Sequence, residues 1–82
     1  MKHKVNKVEI RKILSQNIKY YRRKNKMSQS VLAKKTKFSL QTIKNLEVFR
    51  RWGTSMTIMR ISKALGVEAW KLFIPRKEKT NG

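Results

Sequence analysis

Residues 28–47 read SQSVLAKKTKFSLQTIKNLE, and no other stretch constrains the fold as tightly. It holds two short runs with helical apolar spacing, Val31-Leu32 with Ala33 and then Ile43 with Leu46, separated by Lys-Thr-Lys-Phe-Ser. A helix of two turns is unstable alone, because nucleation fixes several residues in return for one hydrogen bond. Two such helices in succession must therefore be packed against something larger. Ser28 and Ser39 stand before the two runs as N-caps, since a serine hydroxyl accepts from the free N–H groups of a first turn. That leaves a connection of about three residues, the length of a tight helix–helix turn.

The rest of the chain supplies the scaffold. Asn6 with Glu9 makes a capping box, so a first helix starts near Asn6. Ile10, Ile13, Leu14, Ile18 and Tyr21 recur at steps of three and four, giving one apolar stripe through a helix that ends by Asn25. Residues 48–55, VFRRWGTS, read as a loop ending at Thr54 or Ser55. Ile58, Ile61 and Leu65 define a fourth helix, flanked by Met56 and Met59 as core fillers. Gly66 is placed to close it as a left-handed C-cap. A last short helix runs from Val67 to about Phe73 and stops before Pro75, which pushes its predecessor out of helical geometry. No strand-like alternation, internal repeat or low-complexity segment is present. The fold class is all-α: a compact five-helix domain over residues 6–74, between a basic arm, 1–5, and a flexible basic tail, 75–82.

Charge narrows the partner. The 82 residues carry 22 Lys plus Arg against 4 Asp plus Glu, a formal charge of +18. Much of the surface is positive whatever the fold, and an anionic polymer or surface is the natural partner. Nucleic acid outranks membrane, because no apolar run approaches the roughly 18 residues that span a bilayer. The charged N-terminus lacks the apolar stretch of a signal peptide. There is no cysteine, which fits a reducing cytoplasm and excludes thiolate metal sites. His3 is the single histidine and reads as a tail residue, not a metal ligand. The hydroxyls sit at caps and the acids are dispersed, so no catalytic constellation, cofactor or small-molecule site is expected.

A short helix pair with a tight turn is how a helix-turn-helix builds a wedge, one helix bracing and the next entering the major groove of DNA. Sorted at about 100° per residue, with Ile43, Leu46 and Glu47 inward, the third helix turns Gln41, Lys44, Asn45 and Val48 outward and Leu40 to the flank. Gln and Asn can pair bidentately with adenine, Lys can reach guanine or phosphate, and Leu can meet a thymine methyl. Lys34 and Lys35 lie on the bracing helix, where a cation could touch phosphate but not a base.

From Leu14 to Phe73 the chain resembles the lambda-repressor-like helix-turn-helix family, which includes phage repressors and Cro. The resemblance rests on Ser28-Gln29-x-x-Leu32-Ala33 followed by Ile43-x-x-Leu46-Glu47, with Leu14, Ile18, Arg22, Ile58, Ile61 and Ala64-Leu65-Gly66-Val67 around them. It implies a phosphate-binding role for Gln29 and a base-reading set of Ser39, Leu40, Gln41 and Asn45. It also implies an internal ion pair between Arg22 and Glu47, and phosphate contacts from Arg50 and Arg51 in the loop after the third helix. The partner it implies is double-stranded DNA, a pseudo-palindromic operator bound by a homodimer, and the role that of a transcriptional repressor or autoregulator. The apolar cluster of Trp70, Leu72, Phe73 and Ile74 supplies either the dimer seam or the end of the core. Trp52 is read as core packing between loop and core, with stacking near the DNA backbone as the alternative.

Three departures stand out. Lys37 occupies a turn position where the family often has glycine, so either the turn relaxes or left-handed strain is tolerated. Val48-Phe49 replaces the frequent Asn-Gly and leaves room for the third helix to run longer. Leu40 stands where a polar base-reader is common. The rival reading is a nonspecific nucleic-acid or anionic-surface binder that works by charge alone.

Overall fold

The computed structural model describes residues 7–48 and 54–76, leaving aside the side chains of Lys7 and Val8. The expected basic arm, the Asn6 cap, Arg50, Arg51, Trp52 and the tail beyond residue 76 lie outside the described residues.

Four α-helices and a 3-10 helix follow in order: α1 (Lys7–Lys24), α2 (Gln29–Thr36), α3 (Leu40–Glu47), α4 (Ser55–Leu65) and a C-terminal 3-10 helix (Ala69–Phe73). No strand occurs among the described residues. Every element contributes to one core: Leu14 and Ile18 from α1, Leu32 and Ala33 from α2, Ile43 and Leu46 from α3, Ile58, Ile61 and Leu65 from α4, and Leu72 from the 3-10 helix. Burial of these apolar stripes holds together helices too short to persist alone. Tyr21, Met27, Phe38, Ala64, Val67 and Ala69 pack around its edge.

Helix ends follow from cap chemistry. Ser28 Oγ accepts from Val31 N, Ser39 Oγ from Thr42 N, and Thr54 Oγ1 from Thr57 N. Gly66 closes α4 at φ 71°, and Val67 N reaches back to Ser62 O.

Met56 and Met59 are not core fillers; each is 64% exposed. At about 100° per residue they lie some 160° and 100° around α4 from Ile58. The inward seat between Ile58 and Leu65 belongs instead to Ser62, buried with its hydroxyl donating to Met59 O. The last helix is also shorter than Val67–Phe73. Gly66 is left-handed and Glu68 extended, so only five residues remain to coil, and they tighten into a 3-10 turn that drops Leu72 into the core.

Asn17, buried in the middle of α1, holds this end of the chain. Its Nδ2 donates to Leu72 O at 2.8 Å and to Ile74 O at 2.9 Å. Arg76, assigned from sequence to the tail, lies over the Tyr20 ring with its guanidinium carbon 3.4 Å from the centroid.

Candidate nucleic-acid interface

The turn between α2 and α3 is held by backbone and hydroxyl bonds. Lys37 is left-handed at φ 67°, ψ 23°, so the turn does not relax and the strain is accepted. Phe38 N donates back to Ala33 O, closing the end of α2. Buried Thr36 adds a lock: its hydroxyl donates to Leu32 O at 2.8 Å and accepts from Phe38 N at 3.3 Å.

The inward face of α3 is fixed by more than apolar contact. Arg22 Nε donates to Glu47 Oε2 at 2.6 Å and Nη2 to Oε1 at 3.0 Å, a two-point guanidinium–carboxylate pair. Arg22 Nη1 also donates to Met27 O at 2.8 Å, and Gln29 Nε2 donates to Glu47 Oε1 at 3.1 Å. The Arg22–Glu47 pair therefore ties the end of α1, the following loop, the first turn of α2 and the last turn of α3. Both charges are buried, and such a pair depends on further hydrogen bonds to offset its desolvation, here that of Arg22 to Met27 O and that of Gln29 to the carboxylate.

With that face locked, the opposite one is presented to solvent. Gln41 and Lys44 are exposed and Asn45 half-buried, and Gln41 Nε2 donates to Asn45 Oδ1 at 3.1 Å across one helical turn. After that bond the pair still offers the Gln41 carbonyl oxygen, one Gln41 hydrogen and the whole Asn45 amino group. Acceptor and donors thus sit side by side, the combination that an adenine edge requires. Leu40 and Val48 are exposed apolar residues flanking them.

Several assigned residues turn out to have local duties. The Ser39 hydroxyl is engaged with Thr42 N at 3.0 Å and Thr42 Oγ1 at 2.9 Å, capping α3. Gln29 is half-buried, with one amide hydrogen committed to Glu47 and the other left for an external acceptor. The third helix, expected from sequence over residues 39–48, spans Leu40–Glu47 between the cap residues Ser39 and Val48 and does not use the room left for a longer run. The Thr36 lock and the Gln29–Glu47 bond carry no sequence signature of their own, since Thr and Gln suit exposed helix positions equally well.

A scaffold that presents one short polar helix from a tight turn defines the helix-turn-helix class of DNA-binding proteins. Residues 18–69 match the model of the helix-turn-helix family. The chain belongs to that family, in its lambda-repressor-like, Cro/C1-type form, and is a DNA-binding transcriptional regulator of a non-enzymatic class. No curated protein sequence matches it. Among solved structures it is similar to a hypothetical transcription factor, NHTF, from Neisseria, with TM-score 0.79 and 24% identity over 92% of this chain and 87% of that one. It is also similar to the restriction-modification controller protein C.AhdI from Aeromonas hydrophila, with TM-score 0.74 and 22% identity over 77% of this chain and 96% of the controller. At these identities the likeness concerns the fold. No helix among the described residues is long and apolar enough to cross a membrane.

Proposed function

We propose that the chain is a sequence-specific repressor or autoregulator, acting in the cytoplasm as a homodimer on a pseudo-palindromic operator, with α3 in the major groove. The observation that carries this reading is the Gln41–Asn45 pair, a set of base-matching donors and acceptors on the outward face of a helix whose inward face is locked. Ser39, Leu40 and Lys44 complete the reading set. Gln29, Arg50 and Arg51 serve the backbone, Gln29 through its remaining amide hydrogen. For the dimer, Leu72 is fully buried in the core, whereas Trp70, Phe73 and Ile74 stay exposed. Beside them an apolar hollow of about 270 Å³, lined by Ile10, Ile13, Phe73 and Pro75, favours this end of the molecule as the seam.

Selection from a pool of random duplexes at moderate salt tests the proposal. The expected result is one preferred two-fold site bound at least about a thousandfold tighter than scrambled DNA. Recovery of an unenriched pool would leave charge alone as the basis of binding.

A further inference from the structure

Four cations converge where the C-terminal turn of α2 meets α4. Lys35 and Lys37 on one side, and Arg60 and Lys63 on the other, line an open cleft of about 460 Å³ together with Thr36 and Ala64. No acidic residue lines it, and among the described residues none of the four is ion-paired. Glu68 borders a neighbouring hollow that Lys63 shares.

The end of α2 favours a nearby cation because its last carbonyls carry partial negative charge. Arg60 meets that need: Nη1 donates to Thr36 O at 3.3 Å, and the guanidinium carbon lies 5.0 Å from the Phe38 ring centroid. The three lysines are surplus to it. Lys37 also holds its charge at a left-handed position where glycine would be free of strain. Like charges around a concave surface repel one another and focus positive potential into it, and a bound oxyanion relieves both effects. None of Ser39, Leu40, Gln41, Lys44 and Asn45 lines the cleft.

We infer that this cleft is a second phosphate-binding site, which takes the phosphodiester backbone of nucleic acid irrespective of base sequence and separately from α3. Lysine ammonium groups are mobile point charges with donors only, suited to phosphate oxygens and not to the mixed pattern of a base edge. The inference rests on nucleic acid being the partner, and not on base reading by α3. The phosphates come either from DNA flanking the operator on the same duplex or from a second duplex.

The test uses the full chain carrying Lys35→Gln, Lys37→Gly and Lys63→Gln together. Arg60 is retained because it packs on Phe38, and glycine suits the left-handed turn. Wild type and variant are titrated over a range of salt against a selected site, with and without random flanks, and against scrambled DNA. On the flanked duplex, log K should fall less steeply with log salt in the variant, by about two to three units at about 0.9 per phosphate lost, with the preference for the selected site unchanged. That result assigns flanking phosphates. In a second arm, protein on an immobilised duplex is offered a labelled one, and loss of capture in the variant alone assigns a second duplex. A wild-type slope on every duplex together with wild-type capture overturns the inference. Should the triple variant melt early, Lys35→Arg with Lys63→Arg must keep the wild-type slope and capture while Lys35→Gln with Lys63→Gln loses one of them; equal behaviour of the two pairs also overturns it. If no preferred site emerges, base reading by α3 fails, and the slope on random DNA still tests the cleft.

Discussion

Arg22 and Glu47, 25 positions apart in sequence, meet through two hydrogen bonds of 2.6 and 3.0 Å beneath the third helix. The contact joins the last turn of α1 to the last turn of α3, so the angle of the outward face depends on a buried pair on the opposite side of the helix. Replacing Glu47 with Ala leaves the Arg22 cation buried with only the Met27 carbonyl and frees the Gln29 amide. The expected loss is about 2 to 4 kcal/mol in chemical denaturation, near the range for breaking a buried pair by removing one partner. A loss under about 0.5 kcal/mol, the level of an exposed pair, would show that the carboxylate does not bear on the fold.

Lys37 makes the opposite prediction. Its left-handed conformation costs on the order of 1 kcal/mol for a residue with a Cβ, and glycine returns part of that gain as extra freedom in the unfolded chain. Lys37→Gly should therefore stabilise the domain by about 0.5 kcal/mol, read as a small rise in Tm. A fall in Tm would mean that the lysine side chain supports the turn.

The elements that the sequence revealed are those with a periodic or capping signature. The stripes of Leu14 and Ile18, of Ile43 and Leu46, and of Ile58, Ile61 and Leu65 mark buried faces, and Ser28, Ser39 and Gly66 mark ends. The Arg22–Glu47 pair is implied by the family resemblance, whereas nothing local to either residue announces it. Met56 and Met59 misled because hydrophobicity alone does not say which side of a helix is taken, and a small Ser62 filled the inward place. The α2–α4 cleft could not be read at all: Lys35, Lys37, Arg60 and Lys63 belong to two elements whose packing brings them together.

Asn17 is a further case of tertiary information invisible in the chain, since an asparagine within a helix ordinarily reads as a neutral surface residue. Its amide satisfies two carbonyls at the C-terminal end, those of Leu72 and Ile74. Asn17→Ala removes both bonds and leaves the Leu72 carbonyl in a buried setting without that partner. The expected cost is about 2 to 4 kcal/mol, from two lost hydrogen bonds and incomplete solvation of what remains. Hydrogen exchange should locate the damage, with protection falling first over residues 69–74. Uniform loss across α2 and α3 with the C-terminal segment still protected would contradict this account.

Gln41 separates reading a base from adhering to a polyanion. Its Nε2 donates to Asn45 Oδ1, and its carbonyl oxygen and second amide hydrogen are left for a ligand. Pairing of such an amide with a base edge discriminates by about 1 to 3 kcal/mol. Gln41→Ala should weaken binding to the selected duplex by that amount, relax preference at one base position, and leave affinity for scrambled DNA nearly unchanged. Lys34 is exposed on the bracing helix, and Lys34→Ala, if that cation touches phosphate, should weaken both duplexes alike and reduce the salt slope by about one unit. Parallel titrations of the two variants against both duplexes in one buffer make the comparison. Equal losses on both duplexes for Gln41→Ala would remove this residue from the reading set and transfer its contribution to the charge-only account.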